Sequence, residues 1–261
     1  MTSVHRAATE GFSKGAETYR QGRPEYPAEV ATWLAGRLGL GPGRKVLDLG
    51  AGTGKFTKAL VATGATVEAL DPVPEMLARL SVALPPVVTM AGSAEAIPRE
   101  DASYDAVLCA QSFHWFATTE ALAEIRRVLK PGGHLGLIWN VRDHDVPWVA
   151  QFTATLDAYN TDGAPRHYEG AWRAVFPARG FTPLDEEVAR QRHTGASEDV
   201  ILKRGLSVSF VAALPPATQQ EIAAKVRGLI ADTPELAGRD EVTFPYVTRM
   251  FAATRCEAME G

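Results

Sequence analysis

The chain lacks the features that mark a secreted or membrane-spanning protein. Its two cysteines, Cys109 and Cys256, are too few for a disulfide framework. No run of about 20 uninterrupted apolar residues is present to span a membrane. The first 30 residues carry charges and no long apolar run, so no signal peptide is predicted. We therefore expect a cytoplasmic protein with no stable membrane association.

An excess of positive charge is absent as well. The net charge of the 261 residues is −4, whereas nucleic-acid binding requires clustered lysine and arginine. We therefore expect no nucleic-acid partner. Apolar residues make up 46% of the chain, as in ordinary globular proteins, and the length suits one large domain. The composition predicts a single domain over residues 1–261.

The segment 46–55 is the most informative part of the sequence. It reads V-L-D-L-G-A-G-T-G-K, which predicts an apolar strand, a turn and the start of a helix. A dinucleotide-binding G-x-G-x-x-G is excluded because Lys55 occupies its third glycine position, and a P-loop is excluded by Leu49 and Phe56. The turn instead has glycines at the alternate positions 50, 52 and 54, which would allow a ligand to approach the backbone closely. The alternative is a tight turn that binds no ligand.

A carboxylate follows at the end of the next predicted strand, Thr66 to Leu70. Asp71 comes 21 residues after Gly50. In dinucleotide folds an acid at the tip of the second strand accepts hydrogen bonds from ribose hydroxyls. We predict the same role for Asp71, the alternative being an ordinary aspartate at a strand end.

Strands and helices alternate from Lys45 to Asn140, which predicts a parallel sheet covered on both faces. Ligands bind at the carboxyl ends of such strands, so Gln111 and the aromatic run 113–116 are predicted to lie at the mouth of a site. Nearer the C-terminus, Thr218 and Glu221 predict a capping box at the start of a helix. The further predicted elements are strands at Val87–Met90, Tyr104–Ala110, His134–Trp139 and Val242–Ala252, and helices at Pro74–Leu84 and Thr118–Lys130.

The D-x-G-x-G-x-G turn together with Asp71 resembles the class I S-adenosylmethionine-dependent methyltransferases with a methyltransferase type 11 domain. The resemblance implies an α/β, Rossmann-like fold: a seven-stranded, mostly parallel sheet with its last strand antiparallel. It implies S-adenosyl-L-methionine as the cofactor, no metal, and a cofactor-binding core at about 31–144. Ser93 departs from the family, which commonly has Asp there, and core packing is an equal alternative for Met76. The implied cofactor contacts are Tyr19, Asp48, Gly50, Ala51, Gly52, Thr53, Gly54, Asp71, Pro72, Met76, Ser93, Ala94, Glu95, Ala110 and Gln111.

A narrower resemblance, carried by Phe113-His114-Trp115-Phe116, is to small-molecule enzymes similar to trans-aconitate methyltransferases. It extends to the segments Phe12–Pro27 and Trp139–Trp148. It implies a helical lid formed by residues 1–30, 145–180 and 192–235. Aromatic and cationic side chains that would contact an acceptor are Arg23, Trp115, Trp139, Arg142 and Tyr168, although core or surface roles are the alternative for each.

Methyl transfer from a sulfonium is a direct displacement, so the protein mainly positions the acceptor and excludes water. A base is needed only for an acceptor that is protonated at neutral pH, and His114 is then the candidate. The alternative for His114 is a structural or cofactor-facing role. A carboxylate acceptor needs no base, and a cation such as Arg23, Arg142 or Arg204 would anchor it.

We therefore predict a methyltransferase, monomeric or homodimeric, that acts on a small-molecule acceptor at an oxygen or carboxylate. Two alternatives stay open. One is a quinone- or lipid-directed C-methyltransferase, and the other is a non-catalytic S-adenosylmethionine-binding protein. Methylation of nucleic-acid bases is disfavoured, because no Asn-Pro-Pro-Tyr-like motif follows the fourth strand.

Overall fold

A computed structural model describes residues 24–161 and 165–257. Within these residues a single sheet contains seven strands in the order β3-β2-β1-β4-β5-β7-β6. The strands are β1 Lys45–Leu49, β2 Thr66–Asp71, β3 Val88–Ala91, β4 Tyr104–Ala110, β5 Leu129–Arg142, β6 Asp185–Gly195 and β7 Val242–Thr254.

The first five strands of the chain pair in parallel with one another. β1 pairs in parallel with both β2 and β4, β2 with β3, and β4 with β5. The last strand runs the other way: the Gly132 amide donates to the Arg255 carbonyl, and the Asp143 amide donates to the Pro245 carbonyl. Residue numbers therefore rise along β5 while they fall along its partner. The predicted Rossmann-like sheet, mostly parallel with an antiparallel last strand, is confirmed.

Helices connect the strands, as the alternating pattern predicted. Pro74 starts the third helix and supplies a fixed φ at its first turn, and Thr118 caps the fourth by accepting a hydrogen bond from the Ala121 amide. The α-helices are α1 Ala28–Gly36, α2 Thr57–Val61, α3 Pro74–Ala83, α4 Thr119–Val128, α5 Pro147–Asp157, α6 Arg204–Leu206, α7 Ser209–Ala212 and α8 Pro216–Asp232.

The predicted capping box at Thr218 and Glu221 is wrong. Helix α8 begins two residues earlier, at Pro216, and its N-cap residue Pro215 makes no side-chain hydrogen bond. The prolines impose the start of this helix because their fixed φ suits the first turn and they have no amide to leave unbonded. The helix itself is present, and its apolar side chains Ile222, Val226 and Leu229 are buried.

The described chain divides into two compact units. The first unit holds residues 26–139, 165–189 and 248–257, and the second unit holds 24–25, 140–161 and 190–247. The core of the first unit is formed by apolar side chains of helices α1 to α3 and strands β1, β2 and β4. The strand residues of this core lie at alternate positions and in matching register, as Val46 does with Val67 and Ala106, so they share one face of the sheet.

Candidate active site

The three glycines after β1 occupy backbone positions that disfavour any other residue. All have positive φ, at 75°, 57° and 86° for Gly50, Gly52 and Gly54. A Cβ on Gly50 would lie 2.5 Å from the Cβ of Ser112, and one on Gly54 would lie 2.8 Å from the Cγ of Leu80. Above Gly52 the space is open, since no atom of the described residues lies within 4 Å of the position that a Cβ would take. The turn therefore packs at its two ends and leaves room over its centre.

Asp71 holds this turn from the neighbouring strand. Its Oδ2 accepts a hydrogen bond from the Gly52 amide at 2.8 Å, and its Oδ1 accepts one from the Val73 amide at 2.9 Å. Burial raises the pKa of Asp71, although the two backbone hydrogen bonds pull it down. Each carboxylate oxygen has about two lone pairs, so both oxygens keep capacity for a further donor such as a hydroxyl group.

Asp48 lies beneath the same turn and is fully buried. Its Oδ2 accepts a 2.6 Å hydrogen bond from Thr57, whereas no described residue donates to its Oδ1. Burial raises the pKa of Asp48 to about 7; the Thr57 hydrogen bond opposes this shift and the charge of Asp71 adds to it. A buried oxygen without a donor is uncommon in native proteins. This oxygen is shielded from solvent, so a ligand could reach it only if the turn opened.

The end of β4 is fixed against both neighbouring strands. Gln111 has a φ of 60°, and its amide donates to the Ile138 carbonyl of β5 at 2.8 Å. The Ser112 hydroxyl donates to the Leu49 carbonyl of β1 at 2.8 Å. A non-glycine residue in the left-handed region carries strain that the surrounding contacts must offset. Ser112 thereby holds the end of β4, with Ala110 and Gln111, beside the glycine turn.

The segment after β3 joins the same region through the backbone. The Gly92 amide donates to the Asp71 carbonyl at 3.3 Å, and Ser93 forms a β-bridge with Ala96. Ala94 is buried and Glu95 is half-buried. Met76 is 6% exposed on α3, and its amide donates to the Val73 carbonyl. Among the other predicted positions Ala51 is buried, Thr53 is half-buried and Pro72 is exposed.

A cluster of aromatic rings lies beyond the end of β4 in the first unit. Phe113–Trp115 forms a 3-10 turn. The His114 ring centroid is 5.2 Å from that of Trp115 and 6.0 Å from that of His167. Trp139 is only 1% exposed and packs against Trp172 at 4.6 Å between ring centroids. Trp139 therefore lies in the interior of the cluster, while Trp115 is half-buried and Tyr168 is 38% exposed.

One hydrogen bond fixes the protonation of His114. The Trp139 Nε1–H donates to Nδ1 of His114 at 3.2 Å. Because an indole nitrogen can only donate, Nδ1 must be the acceptor, and the proton of the neutral imidazole lies on Nε2. The lone pair that a general base would use is thus already occupied. His114 can remove a proton only if the bond to Trp139 is given up.

Known proteins with similar sequences identify the family. The methyltransferase domain family matches residues 47–137. An uncharacterised methyltransferase-like protein of Schizosaccharomyces pombe is 38% identical over 245 residues, covering 94% of this chain and 95% of the relative. An uncharacterised methyltransferase of Mycobacterium bovis is 39% identical over 259 residues, covering 97% of this chain and 99% of the relative. The chain belongs to the class I S-adenosylmethionine-dependent methyltransferases.

Solved structures share the fold of this methyltransferase. A protein from Anaeromyxobacter dehalogenans, provisionally named a type II methyltransferase, superimposes with a TM-score of 0.67 at 23% identity, covering 90% of this chain and 99% of that one. The phosphoethanolamine N-methyltransferase 2 of Haemonchus contortus, solved with S-adenosylhomocysteine, has a TM-score of 0.59 at 17% identity, covering 98% of this chain and 61% of that one. At these identities the likeness establishes the fold.

Three predicted site residues of the methyltransferase fall outside the described residues of the first unit. Tyr19 and Arg23 lie outside the described residues. Arg142 belongs to the second unit, where its guanidinium lies 4.9 Å from the Phe152 ring centroid and donates to the Thr153 hydroxyl.

Two residues of the site, Ser112 and His167, were not predicted from the sequence. The position of Ser112 shortly after the end of a predicted strand could have indicated it. No local pattern distinguishes His167, which reaches the cluster only because the chain returns to it between α5 and β6.

The described part of the methyltransferase shows no metal centre. No group of three His, Cys, Asp or Glu side chains in residues 24–161 and 165–257 has the spacing of a metal site. In the same residues, no helix combines the length and apolar character needed to cross a bilayer.

Proposed function

We propose that this protein transfers the methyl group of S-adenosyl-L-methionine to an oxygen of a small-molecule acceptor, most simply a carboxylate. The carrying observation is the open space over Gly52, whose amide is bound to the Asp71 carboxylate. This arrangement fits a ligand with hydroxyl groups and no phosphate. When bound, the cofactor supplies an activated methyl group on a sulfonium, which leaves a neutral thioether.

The chain's own groups divide the work of binding. Asp71 accepts hydrogen bonds from the ribose hydroxyls while it holds the glycine turn. The sequence assigns Asp48 to the cofactor site as well, and its buried carboxyl group accepts a hydrogen bond from Thr57 beneath the turn. The adenine ring is bordered by Met76 and the loop of Ser93, Ala94 and Glu95. The rest of the site comprises the turn residues 50–54, Pro72, Ala110, Gln111 and, from the sequence, Tyr19.

The Trp139–His114 hydrogen bond favours an acceptor that is already ionised. With its Nδ1 lone pair occupied, His114 is a poor general base. A carboxylate needs none, because it is deprotonated at neutral pH. The reaction then depends on placing the oxygen about 3 Å from the methyl carbon and in line with it. Trp115 and Tyr168 would border this acceptor, and Arg23 or Arg142 would pair with its charge.

Cofactor binding is tested by isothermal titration with S-adenosyl-L-methionine. Asp71→Asn should weaken binding by about 1.5–3 kcal/mol, the range for hydrogen bonds to a charged group. Asp105→Asn is the matched control, because Asp105 also accepts backbone and side-chain hydrogen bonds at a strand end but lies at the start of β4. Equal affinity in wild type and folded Asp71→Asn would contradict the assignment.

The role of His114 is tested by the pH dependence of methyl transfer. His114→Asn keeps an oxygen that can accept from Trp139, so it should lose less than about tenfold in kcat and keep the shape of the pH–rate profile. A general base would instead cost about 10²–10⁴-fold and the variant would lose an acid limb. Such a loss, with cofactor affinity intact, would replace the carboxylate proposal by an acceptor that must be deprotonated. Activity only on prenylated quinones or lipids, or no product at all, would favour the two alternative functions.

The lid is proposed from sequence. Residues 1–30, 145–180 and 192–235 would enclose the reaction, although 165–180 fall within the first compact unit. Deleting residues 1–22 should leave a folded protein with strongly reduced turnover, and a truncated enzyme with full turnover would eliminate this part of the lid. We place the enzyme in the cytoplasm as a monomer or homodimer, which fractionation and analytical ultracentrifugation would check.

A further inference from the structure

Ser112 continues the contact between β1 and β4 beyond the point where their backbone pairing stops. The last paired residues of the two strands are Asp48 and Leu108. Beyond them, the Ser112 hydroxyl donates a hydrogen bond to the Leu49 carbonyl at 2.8 Å. Ser112 is buried, so this bond is shielded from water. One side-chain hydrogen bond therefore connects the segment after β4 to the residue that leads into the glycine turn.

Ser112 and Phe116 also lie directly against the first residue of that turn. A Cβ on Gly50 would lie 2.8 Å from the Oγ of Ser112 and 3.5 Å from the Cε1 of Phe116. On the β2 side, the Gly50 amide donates to the Leu70 carbonyl at 2.8 Å. Gly50 therefore has little freedom to move unless the segment 112–116 moves with it, because close-packed groups transmit displacement to their neighbours.

The same serine begins the turn that carries the aromatic side chains. Ser112 is the N-cap residue of the 3-10 turn Phe113–Trp115, and its carbonyl accepts a hydrogen bond from the Trp115 amide at 2.9 Å. The next amide, that of Phe116, donates to the Phe113 carbonyl at 3.1 Å. The backbone of Ser112 thus holds the aromatic segment, while its side chain holds the glycine turn.

We propose that Ser112 is a positioning residue that couples the cofactor half of the site to the acceptor half, so that occupancy of the glycine turn sets the position of Trp115. The inference rests on the proposed function for the identity of the two halves. Coupling between sites is carried by contiguous packed and hydrogen-bonded groups. Here such a path runs from Gly50 through Ser112 to Trp115, within the first unit. By linkage, an acceptor that favours the positioned segment strengthens cofactor binding by the same factor.

The test is fluorine NMR of the full-length protein, labelled with fluorotryptophan and titrated with S-adenosylhomocysteine. The chain has five tryptophans, and each resonance is assigned by replacing that tryptophan with phenylalanine. We expect the Trp115 resonance to shift as the ligand binds. The resonance of Trp33, a buried residue of α1 in the same unit, should stay in place and serve as the internal reference. Isothermal titration under the same conditions gives the affinity.

Ser112→Ala removes the hydroxyl and keeps the backbone hydrogen bond of the 3-10 turn. With saturating ligand it should lose about half or more of the Trp115 shift, while affinity falls about two- to tenfold, the effect of one hydrogen bond. Ser103→Ala is the matched control, because the Ser103 hydroxyl also donates to a backbone carbonyl, that of Glu100 at 2.6 Å, directly before β4. This control should keep the wild-type shift and affinity. A purely structural role for Ser112 would lower Tm and leave the shift at saturation unchanged.

Several outcomes would overturn the proposal. They are a full Trp115 shift in folded Ser112→Ala, an equal loss of shift in Ser103→Ala, and ligand binding to wild type without a Trp115 shift. If Ser112→Ala does not fold, Ser112→Cys replaces it, since a thiol has similar size and is only a weak donor. A full shift in that variant has the same consequence. Failure of wild type to bind S-adenosylhomocysteine would reject the proposed function, and the coupling with it, so the two failures are distinguishable.

Discussion

At the scale of single residues, one hydrogen bond between Gly52 and Asp71 connects the glycine turn to the end of β2. The carboxylate of Asp71 accepts from the Gly52 amide, so the group expected to bind ribose also shapes the turn beneath the cofactor. Changes at Asp71 therefore affect both the fold of the turn and the ligand. Changes at Gly52 affect mainly the ligand, because a side chain there meets open space.

We expect Gly52→Ala to abolish measurable binding of S-adenosyl-L-methionine while the protein stays folded. The added methyl group occupies the space over the turn, and the left-handed φ of 57° costs about 1–2 kcal/mol in stability. Gly43→Ala is the matched control, since Gly43 has a φ of 82° and equally open surroundings, outside the turn. Calorimetry and thermal denaturation of both variants separate lost space from backbone strain. Cofactor affinity that survives in Gly52→Ala would place the ligand elsewhere.

Asp48→Asn should change how stability depends on pH. The pKa of Asp48 in the folded protein is raised to about 7 from the ordinary value of 3.8. Asp48 therefore contributes fully to the stability of the folded wild type below pH 3.8, and this contribution is lost as the pH rises toward 7. The asparagine side chain does not ionise, so the variant keeps its stability over this range. Its free energy of unfolding relative to wild type should therefore increase with pH. The expected change is about 1.4 kcal/mol for each unit of pKa shift.

Asp105→Asn provides a control with the opposite sign. Burial opposes ionisation of Asp105, but hydrogen bonds from Lys130, the Lys45 amide and Arg44 outweigh it and lower its pKa. Its contribution is therefore present above 3.8 and lost in stronger acid, so this variant should become less stable relative to wild type as pH rises through the acid range. Denaturant unfolding between about pH 3 and 8 measures both differences. Parallel curves for wild type and Asp48→Asn would show that Asp48 has an ordinary pKa.

At the scale of elements, the site depends on where strands end. The ends of β1, β2 and β4 meet through two contacts, Gly52 with Asp71 and Ser112 with Leu49, and Gln111 joins the end of β4 to Ile138 of β5. Parallel pairing brings these carboxyl ends to the same edge of the sheet. The site therefore depends on the strand order. A shift of any one of these strands would separate the glycine turn after β1 from its hydrogen-bond partners.

Gly136→Ala should destabilise the first unit by about 1–3 kcal/mol, the usual cost of overpacking. A Cβ at this position of β5 would collide with Leu108 of β4 and lie 3.0 Å from the Trp33 ring of α1. Both side chains are buried, with exposures of 0% and 3%, so neither can move away easily. Thermal or denaturant unfolding measures the loss, and a variant as stable as wild type would show that this sheet–helix contact is loosely packed.

Gly228→Ala should have the opposite effect on helix α8. Gly228 is exposed, has no described neighbour within 4 Å of its added Cβ and lies in the helix interior. Alanine removes the conformational entropy cost of glycine, so the free energy of unfolding should rise by about 0.8–1 kcal/mol. Unfolding by urea checks the gain. An equal or lower stability would indicate that the second unit does not limit unfolding of the protein.

At the scale of the whole molecule, net charge and composition bear on the class of acceptor. The charge of −4 over 261 residues gives no electrostatic basis for binding the nucleic-acid backbone. Aromatic side chains, by contrast, cluster after β4 and suit a small organic ligand. Both properties support the proposal that the acceptor is a metabolite.

Transferred methyl groups should therefore appear in small molecules. Incubation of the protein with labelled S-adenosyl-L-methionine and a metabolite extract should place label in the fraction that passes a size filter, with ester products released by mild base. DNA, RNA and protein extracts should acquire no label above a Gly52→Ala control. Strong labelling of a polymer, with none in small molecules, would reject the small-molecule acceptor.

Much of the fold and of the cofactor turn was predictable from local sequence. Strand β4, helix α3 and the glycine turn each depend on residues close together in the chain, whose apolar period or backbone freedom is visible in the sequence. Asp71 was predictable because its distance from Gly50 reflects one strand–helix–strand unit. The start of α8 was mispredicted because a weak capping pattern competed with two adjacent prolines, whose geometric constraint is stronger.

The sequence alone determined which residues favour a strand, a helix or a turn, and which residues are candidates for the chemistry. Tertiary structure decided their partners: Trp139 with His114, Ser112 with Gly50, and Tyr246 with Arg204. An apolar or polar pattern fixes which face of an element is buried, but many residues satisfy the same pattern equally well. Only the packing of the folded chain selects the partner of each residue, because it alone brings side chains that are distant in sequence within hydrogen-bond distance.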